Sequence, residues 1–205
     1  MKNIYESKMF RHRGWVGLIC LVPITICVLL TRPLVPEETP LDFLLETLGW
    51  LLFITYVVFR VWATLFVGGR KDAVLQTEGP YSITRNPLYF GSFCFALSMG
   101  FFLDSVMLIA VTLVGTVIYI GWIVRAEEKL LEGRFGEEFL RYKQTTPRFI
   151  PRLSAYRSPK SLEVHLPAMK SEVKRLLFAS IIPLAADSLA HLRALPNWPH
   201  WFWLP

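Results

Sequence analysis

Long apolar runs, each close to the length that crosses a bilayer, constrain this 205-residue chain more than any other feature. A helix needs about 20 apolar residues to span a hydrocarbon core of about 30 Å. Residues 14–30 are just long enough, with Pro23 tolerated inside the run. Residues 43–67 form a longer run broken only by Glu46 and Arg60, and 87–103 and 105–124 are separated only by a turn at Asp104. At 1.5 Å per residue the run 87–103 reaches roughly 25 Å, which is marginal for a crossing. That pair therefore predicts a tight helical hairpin whose open ends emerge on one side. Residues 176–192 supply a fifth apolar stretch containing Pro183 and Asp187, with Trp198, Trp201 and Trp203 beyond it as an interfacial belt. The expected fold is all-α, a multi-pass membrane protein with four or five transmembrane helices.

The chain opens with basic residues up to Arg13, as a signal peptide would. The apolar run that follows is longer than a signal core and leads into Thr31-Arg32-Pro33 without a small-residue cleavage site, so an uncleaved first span is expected. Lys2, Lys8, Arg11 and Arg13 precede that span, whereas Glu37, Glu38 and Asp42 follow it. Arg70, Lys71 and Arg85 follow the second run, and the segment after the fourth is rich in Arg and Lys. The positive-inside rule places the N-terminus, the 68–86 loop and residues 125–175 in the cytosol.

The net charge of +6 lies beside the apolar runs rather than along a groove interleaved with aromatics, which favours a membrane surface over nucleic acid. Cys20, Cys27 and Cys94 lie inside apolar runs without CxxC spacing, and the four histidines are scattered. Neither a disulfide framework nor a metal site is expected.

Two polar segments flank the hairpin. In the first, Asn86 precedes Pro87, a pairing suited to an N-cap followed by the first helical residue. Arg85 adds a charge beside that helix end, giving a place for a carboxylate or phosphate, or simply a capped helix with a snorkelling arginine. In the second, Arg125, Glu128, Lys129 and Glu132 recur at steps of three and four on one helical face. Leu131, Phe135, Phe139 and Tyr142 predict one apolar stripe along an interfacial helix over 125–143.

The run GPYSITRNPLYFG, then RAEEKLLEGRFGEEFLRYKQTTPRFIP after a helical hairpin, resembles the isoprenylcysteine carboxyl methyltransferase family, which belongs with the phospholipid methyltransferases. The resemblance covers residues 79–151 and implies a membrane methyltransferase domain over 1–156, followed by a C-terminal extension over 157–205. It implies S-adenosylmethionine as cofactor and a lipophilic acceptor reaching the site from the bilayer. Arg85, Asn86, Pro87 and Tyr89 match the first motif, and Arg125 and Glu128 the second, with Glu127 beside them. Tyr81 and Tyr142 match aromatic positions that line the cofactor pocket. On that carry-over Arg85, Arg125 and Glu128 are the catalytic candidates, with Glu127 and Glu128 holding the polar part of the cofactor.

Asn86 stands where the family pattern has His; it keeps a hydrogen bond but cannot titrate. The closest analogy is carboxyl O-methylation of a prenylcysteine-like acceptor. A phospholipid amine or a small thiol is the alternative acceptor. A membrane reductase using NADPH and a non-enzymatic membrane scaffold are the rivals of other classes.

Overall fold

The computed structural model describes residues 28, 30, 31, 35, 39–69 and 74–199. The predicted span over 14–30 lies almost wholly outside them. Among the described residues every regular element is a helix, in agreement with the all-α expectation.

Helix α1 (Pro40–Val67) starts where Thr39 accepts the Asp42 N–H at 3.2 Å and Pro40 takes the first turn. Its 28 residues extend about 42 Å, longer than a hydrocarbon core. A one-turn helix α2 (Pro80–Ile83) precedes α3 (Pro87–Phe102). Asp104 then takes a left-handed backbone (φ 43°) and Ser105 caps α4 (Val106–Tyr119), accepting the Leu108 N–H at 3.3 Å. This is the hairpin that the apolar pattern predicts, turning at the predicted residue.

No break separates α4 from the polar segment after it. The helix passes through a π-helical turn, Ile120–Val124, into α5 (Arg125–Phe135), because the residues around Arg125 are good helix formers. The break comes instead at Gly136 (φ 53°), a left-handed conformation that glycine adopts without cost, after which α6 (Glu137–Thr145) starts. The expected single stripe is therefore split between two helices: Phe139 and Tyr142 are buried on α6, while Leu131 and Phe135 stay half-buried on α5.

Residues 147–165 run as an extended strap, with one 3-10 turn at Leu153–Ala155, to α7 (Leu166–Ala194). Among the described residues three helices are long and apolar enough to cross a membrane: Pro40–Val67, Val106–Phe135 and Leu166–Ala194. The chain is an integral membrane protein. The 16-residue α3 falls short of that length, as its short apolar run foreshadows.

The core joins α1, α3 and α7 around Phe53, Tyr56, Cys94, Phe102, Leu176 and Ala179. Aromatic rings knit α1 to α3, with Tyr56 and Phe95 at 4.8 Å and Trp50 and Phe102 at 5.1 Å between centroids. α7 is pinned at both ends. Near its start the buried Glu172 accepts from Arg60 of α1 at 2.6 and 3.0 Å. Near its end the fully buried Arg193 donates to Leu103 O at 2.5 Å and to Thr31 O at 3.1 Å, holding the hairpin turn.

Candidate functional site at the open end of the hairpin

The strap holds the loop that precedes α3. Gly79 (φ 59°) turns tightly under the buried Phe66 ring, where a Cβ would lie 2.2 Å from a ring carbon. Its N–H donates to Arg157 O at 2.8 Å, and the Arg157 N–H donates to Ser82 Oγ at 2.9 Å. Arg152 N–H then donates to Ile83 O, Thr84 Oγ1 to Phe149 O and Arg85 N–H to Pro147 O, each at 2.9 Å. This ladder satisfies the polar backbone of a loop whose Ile83 and Thr84 are fully buried. Tyr142 Oη adds a bond to Tyr81 O at 2.7 Å, and burial pushes both phenols far above the ordinary tyrosine range, so both stay protonated.

Inside this frame Arg85 is enclosed rather than open to an anion. Nη1 donates to Lys143 O at 2.7 Å and Thr146 O at 3.1 Å, carbonyls at the end of α6 where the helix dipole favours a cation. Nη2 pairs with Glu128 Oε1 at 2.9 Å. Arg148, on the strap, reaches the same carboxylate with Nε at 3.1 Å and Nη2 at 2.9 Å. Glu128, only 5% exposed, thus lies between two guanidiniums. Among the described residues Arg85 Nε is buried without a hydrogen-bond partner.

Asn86 occupies the N-cap position of α3, but its side chain caps nothing. Its Nδ2 donates to Arg148 O at 2.7 Å, tying the loop to the strap, and the capping expected from sequence is absent. Pro87 fills the first helical position and is buried. Tyr89 donates its hydroxyl to Glu127 at 2.7 Å and packs its ring edge-on to Tyr119 at 5.2 Å. The structure therefore brings Arg85, Glu128 and Arg148 into one ionic network, ties Tyr142 to Tyr81 on the same loop, and pairs Tyr89 with Glu127.

Arg125 lies outside that network. It is exposed on the wall of a cavity of about 360 Å³ that it shares with Glu128, Lys129, Glu132, Lys143 and Arg148. Among the described residues neither the Arg125 nor the Lys129 side chain has an ionic or hydrogen-bonding partner, while Glu132 faces Lys143 at 3.4 Å. Among the described residues no group of three or more His, Cys, Asp or Glu side chains could hold a metal ion.

The pattern of phospholipid methyltransferases matches residues 44–138, from α1 through the hairpin to the first turn of α6. The chain belongs to the phospholipid methyltransferase family. Two relatives match over most of their length. The nickel-cobalt-cadmium resistance protein NccN of Alcaligenes xylosoxydans xylosoxydans is 30% identical over 195 residues, covering 94% of this chain and 91% of that protein. The cobalt-zinc-cadmium resistance protein CzcN of Cupriavidus metallidurans is 35% identical over 173 residues, covering 84% of this chain and 79% of that one. No solved structure matches.

For a phospholipid methyltransferase family member the cavity has a fitting donor set. S-adenosylmethionine carries a carboxylate, an ammonium and ribose hydroxyls; the walls carry the cations of Arg125 and Lys129 and carboxylates at Glu128 and Glu132. The volume lies within the range of small-molecule sites. Sequence reasoning missed Arg148 and Lys143 among the wall residues. Arg148 stands between Pro147 and Pro151 in the TTPRFIP end of the second motif, and that place in the motif is the signal that could have found it.

Proposed function

We propose that the chain transfers a methyl group from S-adenosylmethionine to a lipophilic or amphipathic acceptor at the membrane surface. The observation that carries this reading is the convergence of the hairpin's two polar ends, Arg85 and Glu128, beside a cavity of about 360 Å³ with the cations of Arg125 and Lys129 on its walls. The charge bias of the loops supports a cytosolic position for this end.

When bound, S-adenosylmethionine supplies a methyl carbon activated by its sulfonium. The protein's contribution is then to hold the acceptor in line and to keep water away. Arg125, whose guanidinium lies on the cavity wall and has no partner among the described residues, orients an anionic group of the acceptor or cofactor. Glu132 and Glu127 offer acceptors for ammonium and hydroxyl groups. Arg85 and Arg148 are positioning residues that fix the Glu128 carboxylate. Asn86 cannot titrate, and a carboxylate acceptor needs no base because it is already ionised at neutral pH. That favours a carboxyl acceptor of the prenylcysteine type over a phospholipid amine, which would have to lose a proton first. A small thiol is the third acceptor class.

The names of the two relatives support a setting for the reaction: the methylated product serves resistance to cobalt and cadmium, the metals that both names share. The reading is tested by incubating the reconstituted protein with methyl-labelled S-adenosylmethionine and a membrane extract. Label is expected in a lipid-soluble product, and the alkali lability of an ester would identify a carboxyl acceptor. No labelled product from any extract overturns the reading.

A further inference from the structure

The strap has two faces of different chemistry. One carries the ladder to the 79–86 loop. On the other, Ile150 is 76% exposed and Leu153 is 73% exposed, with Arg152, Arg157 and Lys160 exposed beside them. Arg152 gives one N–H to Thr145 O at 2.7 Å and Arg157 gives one to Thr77 O at 3.3 Å, yet both remain at the surface. Bulky apolar side chains alternating with cations are what interfacial segments present to a bilayer.

The depth fits. Tyr156 packs its ring 5.6 Å from Trp62 of α1, five residues before the end of that spanning helix, or about 8 Å along its axis. Tyr and Trp favour the headgroup level. Leu166, 65% exposed at the start of α7, carries the apolar surface from the strap onto a spanning helix.

We propose that the outward face of residues 147–165 docks on the anionic headgroup layer of the leaflet at the hairpin's open end. Ile150 and Leu153 reach the acyl boundary while Arg152, Arg157 and Lys160 meet lipid phosphates. Because the inner face of the same strap holds Ile83, Thr84 and Arg85, anionic lipid steadies the loop that positions Glu128. This docking follows from the surface of the strap and does not depend on methyl transfer.

The test uses the full chain in nanodiscs of phosphatidylcholine, with and without phosphatidylglycerol. An environment-sensitive fluorophore is attached at Leu153→Cys in a background without native cysteines. Labels at Val117→Cys on the exposed face of α4 and at Glu137→Cys on α6 serve as bilayer and water references. The label at 153 is expected to shift to the blue and be quenched by brominated phosphatidylglycerol. Substituting Arg152, Arg157 and Lys160 together by Gln is expected to reduce both effects. Emission like the 137 reference in both lipid mixtures overturns the proposal. A blue shift without bromine quenching also overturns it, since a second copy or another protein would then cover the face. If the label at 117 shows that the cysteine-free background fails to insert, hydrogen exchange on the unaltered chain decides. Slower exchange over 149–165 with phosphatidylglycerol supports the docking, and equal exchange in both mixtures overturns it.

Discussion

Arg85 and Glu128 meet at 2.9 Å across the open end of the α3–α4 hairpin, each side chain only 7% exposed. The contact joins a residue two positions before α3 to the first turn of α5, 43 residues apart in the chain. Removing one partner of a buried pair leaves the other charge uncompensated, which costs about 3–5 kcal/mol. Here the penalty falls harder on one side, because Glu128 balances Arg148 as well.

Glu128→Ala is therefore expected to destabilise the protein more than Arg85→Ala, which leaves Glu128 its second guanidinium. Thermal unfolding in detergent measures the difference. Both variants, and Glu128→Gln, are expected to lose methyl transfer while still inserting into membranes. An active Glu128→Gln would remove this residue from the site.

Arg148→Lys tests whether shape or charge matters on the strap. Two guanidinium nitrogens of Arg148 address one carboxylate, a geometry that a single ammonium cannot copy. The side chain is 32% exposed, so solvent screens part of the pair and the stability loss is expected to stay near about 1 kcal/mol. Cofactor affinity is expected to fall more than stability, as titration calorimetry and melting on the same sample would reveal.

Tyr142→Phe deletes the bond to Tyr81 O, and the orphaned carbonyl is expected to cost about 1–3 kcal/mol at neutral pH. Burial raises the Tyr142 phenol well above its ordinary value, so above about pH 10 the unfolded chain releases this proton first. Wild-type stability is thus full below that pH and declines as pH rises beyond it. The Phe variant should show a shallower alkaline decline in unfolding experiments; an identical slope would mean that Tyr142 is not protected in the folded state.

Gly79→Ala is expected to disrupt the loop outright, since the residue has a left-handed backbone and the Phe66 ring fills the place of a Cβ. Adding Phe66→Leu should recover part of the melting temperature but not the backbone strain.

The sequence showed the hairpin clearly, because Asp104 alone interrupts two apolar runs and both long neighbours carry the length signal. It also showed which polar ends would meet, since a hairpin returns Arg125 to Glu128 to the neighbourhood of Arg85. What it hid was direction. Arg85 reads as a cation at a helix end, but its Nη1 and Nη2 find the last carbonyls of α6 and Glu128, partners that only the turn at Gly136 delivers. Asn86 reads as a cap for the same reason, and the strap's Arg148 carbonyl claims its amide instead. The strap itself has no periodicity to detect: it is held by contacts between residues more than 60 positions apart.

Binding of S-adenosylmethionine to the purified full chain in nanodiscs, followed by calorimetry, decides whether the cavity at the hairpin's open end is a cofactor site. Saturable binding near one molecule per chain is predicted, weakened by Arg125→Ala and by Arg148→Ala, with no heat from NADPH. Absence of any heat with S-adenosylmethionine, or binding of NADPH in its place, would contradict the assignment.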